Sequence, residues 1–100
     1  MQVHITESEG TMTARLVGRL DTSVAADVSE QMLPLMDHAD KTLVLDCSEL
    51  TYISSSGLRI LLTLRKAAAT QGGNVVIEGL SNEIRSVFMM TGFLQLFEIR

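Results

Sequence analysis

The chain has 100 residues, 46% of them apolar and 20% charged, with a formal net charge of −4; this suffices for one domain with a core and excludes a disordered polymer. The acidic balance argues against a nucleic-acid binder, which presents a basic face to neutralise phosphates. A lone Cys47 rules out an internal disulfide and argues against a structural zinc cluster, and no apolar run approaches the roughly 20 residues of a membrane span.

In chain order, Val3-His4-Ile5-Thr6 and Thr11 to Val17 alternate in polarity around Glu9-Gly10, the pattern of a β-hairpin. Gly18-Arg19-Leu20-Asp21 leads into a helix, with Asp21, Thr22 and Ser23 as candidate N-caps. Val24, Val28, Met32, Leu35 and Met36 share one helical face, and Pro34 predicts a kink or an end near Leu33. Thr42 to Cys47 reads as a strand covered on both faces, followed by a hydroxyl-rich turn over 50–57. Leu58 to Ala69 predicts a helix with Leu58, Leu61, Leu62, Arg65 and Ala68 on its inward stripe, stopped by Gln71-Gly72-Gly73. Asn74 to Glu78 is a further strand. Leu80-Ser81 resembles a staple and cap for a helix carrying Ile84, Val87, Phe88 and Met89, ended by Gly92. Leu96 to Arg100 suggests a last strand. The order ββαβαβαβ indicates an α/β domain around one mixed sheet of four to five strands with about three helices.

Charge is uneven. Residues 1–50 carry nine acids against Arg15, Arg19 and Lys41, a net −6; residues 51–100 carry Glu78, Glu83 and Glu98 against five arginines and lysines, a net +2. An acidic half suits docking to a basic partner protein, where complementary charge sets on-rate and specificity. Ser54-Ser55-Ser56-Gly57 lies where a strand feeds a helix N-terminus. One serine suffices to cap the helix, and Gly57 allows a close approach; spacing alone leaves capping and a phosphosite both open. Phosphorylation there would add about −1.5 to −2 charge to a short loop.

Gly18-Arg19-Leu20-Asp21, Leu43-Val44-Leu45-Asp46, Ser55-Ser56-Gly57-Leu58, Gly72-Gly73-Asn74-Val75-Val76-Ile77 and Thr91-Gly92-Phe93 together resemble the STAS domain of anti-sigma factor antagonists. The resemblance runs over nearly the whole chain with its elements in order, and it is specific as a set. It implies one STAS domain over 1–100 and a bacterial, cytoplasmic phosphoprotein that regulates transcription by partner switching. In this family the unphosphorylated antagonist binds an anti-sigma factor that is itself an ATP-dependent serine kinase, phosphorylation releases it, and a PP2C-like phosphatase resets it. The carried-over phosphoacceptor is Ser55, with Ser54 and Ser56 as rivals. The implied docking surface comprises Asp21, Ser55, Ser56, Gly57 and Arg59. Mg-ATP belongs to the kinase, so the chain itself is expected to hold no cofactor and to be no enzyme. Two departures stand out: Ser54 replaces the family's Asp before the acceptor, and the chain ends at Arg100 where the family continues into a C-terminal helix. A STAS domain acting as a constitutive scaffold subunit of a larger sensory or lipid-transport complex, unphosphorylated, is the alternative.

Other chemistries lack parts. Asp46 ends a strand like the acceptor of a receiver domain, yet no late strand carries the lysine such domains need; it reads as a turn cap. His4 and His38 lie away from the serine loop, G-x-S-x-G is absent, and no His, Cys or Asp cluster has metal-ligand spacing. Cys47 reads as a small buried residue, and Met12, Met32, Met36, Met89 and Met90 as packing, with Met89 and Met90 at most partly exposed.

Overall fold

The computed structural model describes residues 1–100. Strand β1 (Gln2–Ser8) turns through Glu9 and Gly10 into β2 (Thr11–Leu20). Both turn residues have positive φ, 47° and 80°, which gives a two-residue hairpin the twist its strands require. Helices α1 (Ala25–Gln31) and α2 (Leu33–Asp37) follow, then β3 (Thr42–Ile53), α3 (Ser55–Gln71), β4 (Asn74–Glu78), α4 (Asn82–Thr91), a 3-10 turn at Phe93–Gln95 and β5 (Glu98–Ile99). The sheet order is β1-β2-β3-β4-β5, antiparallel in the first pair and parallel in the other three. This is the expected α/β domain with five strands. It has four helices rather than three, because the first one breaks at Met32 and restarts with Pro34 at its beginning, where a missing N–H costs nothing.

All the helices lie on one face. Met12, Ala14 and Leu16 of β2, Leu43, Leu45 and Cys47 of β3, and Val75 and Ile77 of β4 point into a single 24-residue core with Val28, Met32, Leu35, Leu61, Leu64, Ile84 and Phe88 from the helices. The opposite parity carries Thr13, Arg15, Val44, Asp46, Val76 and Glu78. Val44 and Val76, paired across β3 and β4, are the only buried apolar residues outside the core. Leu43, Val44 and Leu45 are thus all buried, as expected of a strand covered on both faces, although the helices lie on one face alone.

Three further expectations change. β3 runs on to Ile53 where a turn from Leu50 was expected, since its register with β2 shifts between Arg15 and Val17 and again between Gly18 and Arg19. Each shift inserts one extra residue on β3, and such bulges break the alternation by which a strand is recognised. On α3 the buried residues include Ile60 and Leu64, while Leu62 and Arg65 of the expected stripe face outward. Met89 and Met90 are exposed, at 64% and 83%, rather than packed. The caps of α4 stand as read: Ser81 Oγ accepts from the Ile84 N–H at 3.2 Å, and Gly92 ends the helix with φ 80°. No helix is long and apolar enough to cross a membrane.

Candidate functional site

Parallel pairing brings the two motif loops together. Leu20 and Ile53 are register partners at the carboxyl ends of β2 and β3, and the Ser54 N–H donates to Leu20 O at 2.9 Å. Asp21 and Ser55 thus leave neighbouring strand ends on the same edge, the place where open α/β sheets present binding loops.

The three serines divide their work. Ser54 is extended (φ −90°, ψ 172°), only 9% exposed, and its Oγ accepts from the Gly57 N–H at 3.2 Å. It is the helix cap. Ser55 is the first residue of α3 and is exposed; Ser56 is half-buried, its Oγ 3.5 Å from Thr22 Oγ1. Gly57 is buried beneath them, and a Cβ there would lie 2.7 Å from Leu20 Cγ and 2.8 Å from Ile53 Cγ1. Its role is packing under the loop: among the five expected docking residues it is the one that offers no surface.

Asp21 does not cap α1, whose cap position is Val24 without a side-chain bond. Its Oδ1 instead accepts from the Ser23 hydroxyl at 2.6 Å and the Ser23 N–H at 3.0 Å. The Ser23 hydroxyl is the main cause that holds the carboxyl below its usual range; partial burial opposes it, and the Ser23 and Val24 N–H groups and the Arg19 charge assist. Asp46 makes the same pair of bonds to Ser48, at 2.7 Å from its hydroxyl and 3.0 Å from its N–H; it was expected to cap a turn, and it braces the first bulge of β3 instead.

Arg59 is exposed one turn beyond Ser55. Arg15 pairs with Glu49, Lys41 with Glu7 at 2.8 Å and Arg100 with Glu98 at 3.2 Å, whereas the Arg59 guanidinium has no such partner. Below the serine loop, α1 and α2 stand off from α3 to leave a groove of about 510 Å³ lined by Thr22, Ala25, Ala26, Ser29, Leu33 and Met36 on one wall and Ser56, Arg59, Ile60 and Thr63 on the other. Sequence reasoning missed Thr22, Leu33 and Met36 as groove residues. Leu33 is 52% exposed, and its position beside a helix break was the available sign. One residue inside the same strand ends, the Arg19 guanidinium lies 4.4 Å from the centre of the ring of Tyr52, its register partner.

The remaining reactive candidates are remote from this edge. His4 and His38 are exposed on β1 and after α2. Cys47 is buried in the core and its thiol is pushed up to about 12, by burial first and then by the charges of Asp46 and Glu78, so it stays protonated and inert.

A family model described as "Mlab, STAS domain" matches residues 3–98. The chain is 30% identical over 99 residues to BtrV of Bordetella bronchiseptica, a candidate anti-sigma factor antagonist, covering 99% of this chain and 85% of BtrV. It superposes on a crystal structure of an anti-sigma factor antagonist from Mycobacterium paratuberculosis with TM-score 0.86 and 18% identity, over 98% of this chain and 83% of that one. The structure of the Bacillus cell fate determinant SpoIIAA in its phosphorylated form is similar too, with TM-score 0.74 and 18% identity over 99% and 91% of the two chains.

Proposed function

The chain belongs to the STAS family, among relatives of the anti-sigma factor antagonist type, and from that premise we propose that it binds an anti-sigma factor kinase while Ser55 is unmodified and releases it once Ser55 is phosphorylated. Mg-ATP held by the kinase supplies the phosphoryl group, and a phosphatase of the PP2C class returns the serine to its free state. The observation that carries the reading is the division of the serines: Ser55 alone is exposed, while Ser54 is buried as the cap and Ser56 turns toward Thr22.

The physical case is electrostatic. The edge that would dock holds the ionised Asp21, and 20–40 contains five acids (Asp21, Asp27, Glu30, Asp37, Asp40) and no lysine or arginine. A basic partner suits this surface. About two further negative charges at Ser55 alter both its charge and its shape. Asp21, Ser56 and Arg59 flank the acceptor and complete the docking surface, and Gly57 supports it from beneath.

The test is incubation with the cognate anti-sigma kinase and Mg-ATP, read by intact mass and peptide mapping. One phosphate on Ser55 is expected, with Ser55→Asp weakening partner binding and Ser55→Ala preserving it. Tight binding with no phosphate on any of Ser54, Ser55 or Ser56 overturns the reading. That outcome, joined to a partner without kinase activity, supports instead a constitutive subunit of a larger complex.

A further inference from the structure

We infer that Arg59 captures the phosphate of modified Ser55 within the same chain, so that the switch carries its own counter-ion. The inference rests on phosphorylation at Ser55 and concerns what the modified loop does next.

Ser55 and Arg59 are four residues apart on α3 and both are exposed. Residues at that spacing share a helix face, with Cβ atoms roughly 5–6 Å apart, within reach of an arginine side chain. A guanidinium binds phosphate through two parallel N–H donors, a geometry a lysine does not supply. The neighbouring groups leave Arg59 as the cation for this task. Across the loop stands Asp21, ionised and repulsive toward a phosphate. Arg19 of β2 lies over Tyr52, Arg65 donates from Nε to Leu96 O at 2.7 Å near the other end of α3, and Lys41 is held by Glu7. Arg59 has no acceptor of its own to give up.

Capture has a direct consequence for release. An Arg59 turned onto the phosphate is withdrawn from the groove wall it forms with Ser56, Ile60 and Thr63. Phosphorylation then acts twice on the docking surface, by adding negative charge and by removing its one free cation.

The experiment installs phosphoserine at position 55 genetically, which needs no kinase, and follows the phosphate by 31P NMR through its second ionisation near pH 6. A cation favours the dianion. The apparent pKa should therefore be higher in Arg59→Gln by roughly 0.4 unit, with Arg59→Lys in between. In about 1 M salt, where screening extends only about 3 Å, the gap should shrink. Equal pKa values in the parent and in Arg59→Gln overturn the capture. Whether a kinase modifies Ser55 is read separately by the Mg-ATP incubation, so failure there leaves the installed-phosphate result standing.

Discussion

Gly57→Ala tests the claim that this glycine is a packing residue under the serine loop. Its added methyl would sit 2.7 Å from Leu20 Cγ, 2.8 Å from Ile53 Cγ1 and 3.1 Å from Leu20 Cδ2, whereas apolar carbons rest at about 3.5–4.0 Å. Leu20 is fully buried and Ile53 is 5% exposed, so each must shift by about 1 Å inside a filled core. Overpacking of this kind costs about 1–3 kcal/mol. Alanine is the better helix former by up to about 1 kcal/mol, which offsets part of it. The expected net loss is about 1–2 kcal/mol, a fall in Tm of about 4–15 °C for a domain of this size. Urea denaturation followed by circular dichroism measures it. A Gly57→Ala midpoint equal to or above the parent's would refute the packing argument. The same displacement of Leu20 moves its chain neighbour Asp21, so partner affinity should fall even though Gly57 itself touches no partner.

Ser54→Ala removes the acceptor for the Gly57 N–H and should cost about 1 kcal/mol, whereas Ser54→Asp supplies an equivalent cap and should stay within about 0.5 kcal/mol of the parent; equal losses in the two variants, read from urea midpoints, would contradict the capping role. Stability should also fall on acidification. Glu7 is held below its usual pKa chiefly by its hydrogen bond to Lys41 and then by the Lys41 charge, and Asp21 is held below its own chiefly by the Ser23 hydroxyl. Their contributions are present above the unfolded values of 4.5 and 3.8 and are lost as pH drops through the depressed folded values. Denaturation midpoints taken from pH 6 downward should decline more gently in Asp21→Asn; an unchanged slope would remove Asp21 from the account.

The hairpin, the helix break at Met32–Leu33, the Ser81 and Gly92 caps and the strand at Asn74 were all legible, because each is written in local spacing or in a residue with restricted backbone choice. What escaped depends on tertiary contact. β3 beyond Asp46 lost its alternation to two bulges, so a strand looked like a turn. α3 has apolar residues at 58, 60, 61, 62 and 64, nearly all the way round, and only the sheet beneath it selects Ile60 and Leu64 over Leu62. The exposed pair Met89 and Met90 could not be told from core methionines by type. At the site, motif resemblance located the two loops, but the separate duties of Ser54, Ser55 and Ser56 follow from burial and from one hydrogen bond, and neither is visible in a run of identical residues.

The departure at Ser54 takes on a different meaning once that bond is known. The residue before Ser55 satisfies the Gly57 N–H at the start of α3, and serine and aspartate rank together as caps. Exchanging one for the other therefore preserves the backbone that presents Ser55, while it removes one negative charge from the loop. On the proposed reading that change matters. A carboxylate next to Ser55 would repel an incoming phosphate; Ser54 leaves Asp21 as the nearby anion of the loop pair, with Arg59 opposing it from α3. The chain as a whole keeps its net −4 and the docking edge its acidic 20–40 segment, but the serine turn itself, Ser54 to Gly57, carries no charged side chain. On the proposed reading, roughly two charges added at Ser55 then take an uncharged serine turn to strongly negative within a surface that is acidic elsewhere, so the modification is the largest local change of charge open to this loop.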